Sequence, residues 1–193
     1  MTISLEHAGY CGPVNGEVDF VHRTNLRGLV RLSREPFCLR SYDSFQASLR
    51  EGIARVYARA GVAVPQSFSS CSVLCEPIGR GYCGDVGYGR ITLVLKPDAV
   101  SHDMLIVNGD FQNIASGVQR GIRQPDDIRY LTGATTEDVI RHLREWREHG
   151  GVIDSYCEAR LLRCIAPQDI QRIHAPTDCG EVTALVDQIN GQL

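Results

Sequence analysis

The 193-residue chain has one lysine, Lys96, against nineteen arginines, together with one tryptophan, two methionines and only 7% aromatic residues. No run approaches the ~18 consecutive apolar residues that a membrane-spanning helix needs, and Met1–Gly12 has no basic segment leading into an apolar stretch. These absences predict a soluble chain with no membrane partner and no cleaved export signal. Positive charge is not in excess either: 20 basic residues face 23 acidic ones, for a net charge of −3. That argues against broad non-specific nucleic-acid binding, which needs a positive field. The scarcity of lysine has two readings. Genomic composition bias is the simpler; the sharper is service inside a foreign eukaryotic cell, where few lysines mean few ubiquitin acceptors.

What is present is ordinary for a globular protein, with 43% hydrophobic and 22% charged residues. A chain of this length can bury about two-thirds of its unfolded surface, so one domain over 1–193 with a self-sufficient core is expected. Eight cysteines stand at 11, 38, 71, 75, 83, 157, 164 and 179. No paired C-x₂-C motif occurs, and no histidine follows Cys71, Cys75 and Cys83 at ligand spacing, so no metal site is predicted. Cys157 and Cys164 lie in an apolar stretch and read as small buried hydrophobes, which favours a reducing compartment.

Periodicity predicts an α+β chain. Phe20-Val21-His22 reads as a short strand. Asn25 then caps a helix with Leu26, Leu29 and Val30 on one face, ended by Pro36. Ser44 to Ala60 reads as a helix with the stripe Phe45, Leu49, Ile53, Val56, Tyr57 and a glycine stop at Gly61. From Val62 to Gly89 the serines, prolines and glycines predict a long connection, with Cys71 to Gly89 expected to border the site as a mobile flap. Gly79-x-Gly81-x-x-Gly84 neither follows a strand nor opens a helix, so it is not a phosphate loop. Ile91–Leu95 and Met104–Val107 read as strands.

Thr135 and Asp138 form a capping box for a helix to His149, with Val139, Leu143 and Trp146 buried. Ile153 to Ile165 alternates as a long strand, with Cys157, Ala159 and Leu161 on one face and Tyr156, Glu158, Arg160 and Leu162 on the other. A turn at Pro167–Ile170, a strand residue at Ile173 and a helix capped by Asp178 and running through Ile189 close the chain.

Two residues break the logic of a purely structural pattern. Glu158 is a carboxylate in the middle of the most strand-like segment, and His22 ends the first strand. Each alone has a bland reading, as a solvent-facing strand residue and a core histidine. In chain order they form a strand ending in His-x-Thr, a short helix, a long middle and a late strand bearing one Glu. Phe20-Val21-His22-Arg23-Thr24-Asn25-Leu26-Arg27-Gly28-Leu29 resembles the opening of the ADP-ribosyltransferase family, as in PARP-type enzymes and DarT-type toxins. Tyr156-Cys157-Glu158-Ala159-Arg160-Leu161-Leu162, followed by Ala166-Pro167-Gln168-Asp169-Ile170, is similar to that family's closing pattern. Tyr88 to Lys96 is similar to a central strand of bacterial members.

The resemblance implies a split β-sheet core with flanking helices and NAD as substrate. It implies transfer of ADP-ribose to a macromolecular acceptor by a bacterial toxin or effector, in the bacterial cytoplasm or delivered into a target cell's cytosol. Glu158 would stabilise the oxocarbenium-like state. His22 with Thr24 would hold the ribose, Arg23 or Arg40 the pyrophosphate, and Tyr42, Tyr88 or Phe111 would stack on nicotinamide. Tyr156 stands where arginine-modifying members carry Glu, which argues against arginine as the acceptor. The alternatives are a catalytically inactive interaction protein of the same fold and a Cys/His nucleophile hydrolase.

Overall fold

Apolar runs and their spacing generate the elements, and a nine-stranded sheet organises them. The structure is a computed structural model that describes residues 2–10, 12, 18–34, 40–41, 47–75, 89–121, 127–149, 157–176 and 180–193. In chain order the elements are β1 (Ser4–Glu6), β2 (Val18–Thr24), α1 (Leu26–Leu32), β3 (Arg40–Ser41), α2 (Ala47–Arg59), β4 (Ser67–Cys75) and β5 (Ile91–Leu95). They continue with β6 (Met104–Val107), α3 (Phe111–Gln119), β7 (Ile128–Leu131), α4 (Thr136–His149), β8 (Cys157–Leu161), β9 (Ile170–His174) and α5 (Gly180–Asn190). The strand order is β1-β9-β5-β2-β4-β8-β6-β7, with β3 pairing to β4 off that path. Every pair is antiparallel except β1 with β9. Strands and helices in one sheet-centred unit, without regular parallel crossovers, make the fold α+β. The expected split of the core does not show as a break in pairing among the described strands.

The two faces of the sheet carry different helices. On one, Val18, Phe20, Leu93, Met104, Ile106, Cys157, Ala159 and Leu161 meet Leu29 and Leu32 of α1, Val139, Leu143 and Trp146 of α4, and Val182, Val186 and Ile189 of α5. On the other, Leu105, Val107 and Ile128 pack under Ile53, Val56 and Tyr57 of α2 and Phe111, Ile114, Ala115 and Val118 of α3. The α2–α3 contact is close. A Cβ on Gly52 would lie 2.4 Å from the Ala115 carbonyl oxygen, so that position takes only a glycine without backbone adjustment.

Local signals hold at several termini. Asn25 Oδ1 accepts from the Gly28 amide at 3.0 Å. Thr135 and Asp138 form the reciprocal capping box, with the Asp138 amide donating to Thr135 Oγ1 at 3.2 Å and the Thr135 amide to Asp138 Oδ2 at 2.9 Å. Asp169 holds the turn before β9, where Arg163 reaches both its oxygens at 2.7 and 3.1 Å.

Two expectations are corrected, and two elements stand where none was expected. Residues Ser67–Cys75 form a strand and not part of a connection, because β2 and β8 on either side satisfy a backbone whose serines have little strand preference; residues 76–88, the rest of the expected flap, lie outside the described residues. The chain between Asp110 and Leu131, which carried no expectation, contains α3 and β7. Cys164 is disulfide-bonded, whereas Cys71 and Cys157 are free and buried. Cys157 is the free, buried thiol expected, and the pairing at Cys164 takes away the other of the two cysteines on which the expectation of a reducing compartment rested. The expected strand over 153–165 is realised as Cys157–Leu161, with 153–156 outside the described residues. No helix among the described residues is long and apolar enough to cross a membrane.

Candidate functional site

Glu158 sits on β8 between β4 and β6. Strand alternation turns Cys157, Ala159 and Leu161 into the core of one face and leaves Glu158 and Arg160 on the other. The Glu158 amide donates to the Gly109 carbonyl at 3.1 Å, and its Oε2 accepts from the Phe111 amide at 2.9 Å. Phe111 is the first residue of α3, so the carboxylate takes one of the amides that a helix start leaves without an internal partner, at the positive end of the helix dipole. Asp110 caps the same terminus, its Oδ1 accepting from the Asn113 amide at 3.0 Å.

The second oxygen of Glu158 is also engaged. Oε1 lies 2.9 Å from Nη2 of Arg160, in an ion pair whose side chains are 10% and 5% exposed. The Arg160 guanidinium lies 4.1 Å from the centroid of the Phe111 ring. Tyr57, from α2, meets the same ring at 6.0 Å between centroids. Its buried hydroxyl oxygen has no hydrogen-bond partner. Burial pushes the Tyr57 hydroxyl up to about 12, with Arg160 opposing and Glu158 reinforcing the rise.

The structure brings some of the candidate residues together and separates others. Glu158 pairs in register with Ser72 of β4, and Ser72 with Val21 of β2, so Glu158 shares its face of the sheet with Val21 and, two residues on, Arg23. Two strand spacings place Arg23's strand roughly 10 Å from Glu158's. His22 and Thr24 have the opposite parity. Both are buried, and His22 pairs in register with Leu93 of the core. The expectation that His22, Thr24 and Glu158 line one site is therefore corrected: the register puts them on opposite faces.

Phe111 is corrected too. Its ring is fully buried beneath Arg160 and beside Tyr57, so it cannot stack on a bound nicotinamide, and its contribution here is its backbone amide. Arg40 belongs to β3 and pairs with Phe68, with its side chain outside the described residues. Tyr42 and Tyr88 also lie outside them. Among the described residues no group of three or more His, Cys, Asp or Glu side chains could hold a metal ion.

A second buried polar cluster lies farther along the same face, across β4, β2 and β5. The Tyr10 hydroxyl donates to Oδ2 of the fully buried Asp19 at 2.9 Å, and the Tyr10 ring meets His174 edge-on at 5.4 Å. His174 is 7% exposed and pairs in register with Glu6 and with Thr92. Neither of its ring nitrogens has a hydrogen-bond partner of normal geometry. Burial and then Arg172 lower its pKa, against smaller opposing effects of Glu6, the Ala8 backbone and Asp19.

The sequence pattern puts Arg160 on the same strand face as Glu158 but assigns it no role, and it misses Tyr57 as a neighbour. The Glu-x-Arg spacing was a usable signal, since residues i and i+2 of a strand share a face. Tyr57 carried only the signal of a core stripe. No protein-family model, curated protein or solved structure matches the chain.

Proposed function

We propose that this protein is an NAD-dependent ADP-ribosyltransferase in which Glu158 is the catalytic carboxylate. The observation that carries the reading is the placement of Glu158: a buried, doubly anchored carboxylate on a central strand, one strand removed from the early strand bearing Arg23. Those two segments are more than 130 residues apart in sequence. On this reading the bond between ribose C1′ and the nicotinamide nitrogen breaks, and its electron pair leaves with neutral nicotinamide. The ribose is left as an oxocarbenium-like cation. A nucleophile of a macromolecular acceptor then bonds to C1′ and gives up its proton. A fixed carboxylate that accepts from a ribose hydroxyl holds more strongly as positive charge develops. Arg23 takes the pyrophosphate, which its planar fork suits. The role first expected of His22 has no support in its placement.

Two other readings draw on the same contacts. Both Glu158 oxygens are already satisfied within the protein, which favours a structural clamp in an inactive interaction protein. A cysteine-nucleophile hydrolase gains nothing from Cys71, whose thiol is pushed up by burial and so is held protonated.

Release of nicotinamide from NAD by the purified protein separates these readings. Glu158→Gln keeps an oxygen for the Phe111 amide and should lose at least ~100-fold in release rate, the scale of one preorganised charge-stabilising group. Arg23→Ala should raise the KM for NAD, whereas His22→Ala should lower stability and leave KM alone. Wild-type turnover in Glu158→Gln would remove Glu158 from the chemistry, and a raised KM in His22→Ala would return His22 to the site.

A further inference from the structure

We propose that Arg160 is a positioning residue, which together with the Phe111 amide fixes both oxygens of Glu158 so that the carboxylate meets its substrate already oriented. The proposal rests on the reading of Glu158 as the catalytic carboxylate. A glutamate side chain has three soft torsions, and an unanchored one would have to be ordered during the reaction. Here the order is built in. Oε1 is taken by one guanidinium nitrogen of Arg160 at 2.9 Å and Oε2 by the Phe111 amide at 2.9 Å.

Phe111 closes the arrangement. Its amide holds the carboxylate while the Arg160 guanidinium lies over its ring, with Cζ 4.1 Å from the centroid. Arg160 thus has an orientation that a flexible ammonium could not reproduce. Stability alone gives a weak reason for the pair, because a buried ion pair is commonly replaceable by apolar side chains of similar shape without loss. Orientation of a reacting group gives a stronger one, since a displacement of about 1 Å at a reacting centre can cost on the order of 100-fold in rate.

The test uses Arg160→Lys and Arg160→Gln with two readouts, steady-state nicotinamide release and the Phe111 amide proton in nitrogen-resolved NMR spectra. We expect kcat to fall about 10- to 100-fold with the KM for NAD nearly unchanged, and the Phe111 amide to exchange faster as Glu158 loosens. Phe111→Leu keeps the amide but removes the ring under the guanidinium, and should give an intermediate loss of kcat. It also keeps the proposal testable should the Arg160 variants fail to fold. Variants that lose only melting temperature, with kcat per folded molecule and the Phe111 amide unchanged, would show Arg160 to be structural and overturn the proposal. A wild-type protein that releases no nicotinamide overturns the reading of Glu158 itself and takes the proposal with it, a result distinguishable from the last by the missing wild-type activity.

Discussion

Two buried polar clusters lie on one face of the same sheet and solve the burial of charge in opposite ways. Around Glu158 the opposing charges are both present: Arg160 supplies the cation, and the α3 terminus supplies an amide. Around His174 it is the imidazole alone that gives up its charge, beside the fully buried Asp19. Desolvation holds the imidazole uncharged, while Tyr10 donates to Asp19 beside it. The first arrangement orients a charged group and suits chemistry. The second tolerates a neutral one, whose lowered pKa opposes protonation.

The largest expected effect comes from removing one partner of the charged cluster. Glu158→Ala leaves the Arg160 guanidinium buried without its carboxylate, and should cost about 3–5 kcal/mol in denaturant unfolding. A cost below about 1 kcal/mol, the range of exposed pairs, would show that water reaches the pair. Next comes the scaffold on which the charged cluster depends. Gly52→Ala forces a Cβ against the Ala115 carbonyl and should cost about 1–3 kcal/mol by pushing α2 off α3. A variant as stable as wild type would mean that the two helices can separate freely.

A smaller effect is expected at His174, and only in acid. The folded-state pKa of His174 is lowered, so the unfolded chain takes up a proton first, near the ordinary histidine value of about 6.5. Its contribution to stability is therefore complete above that pH and declines as pH falls toward the folded-state value. The groups that face it are Arg172 on its own strand, Glu6 on β1, Asp19 on β2, Tyr10, and the neutral Thr92 on β5. Melting curves between pH 7 and pH 5 should show His174→Phe losing less stability than wild type; parallel losses would place the acid response elsewhere.

The smallest effect is expected at Tyr57. Its hydroxyl is buried without a partner, so Tyr57→Phe should be neutral or slightly stabilising at pH 7. The raised pKa has the opposite sign of consequence from that of His174. The unfolded chain ionises Tyr57 from about pH 10 while the folded one keeps the proton to about 12, so stability is present below pH 10 and declines across that window. Tyr57→Phe should flatten that part of the alkaline unfolding curve, and a destabilised variant would show that the hydroxyl has a partner in solution.

Much of the fold was legible locally. The aliphatic runs at 91–95 and 104–107, the Asn25 cap and the Thr135–Asp138 box all stand where pattern and capping chemistry put them. The α3 helix is legible too, since Asp110 is a good cap and Phe111, Ile114, Ala115 and Val118 follow helical spacing. β4 was not legible. Its serines lack strand preference, and it becomes a strand because β2 and β8 bond to its two edges.

The same division runs through the candidate site. By itself the sequence determined that Glu158 and Arg160 share a face and that His22 and Arg23 do not, because side chains alternate along any strand. Which residue of β2 faces Glu158 was decided only by the tertiary structure. That choice depends on how β2 and β8 each register against β4, a strand between them that no local pattern announced, and a shift of one residue in either pairing would exchange His22 for Arg23.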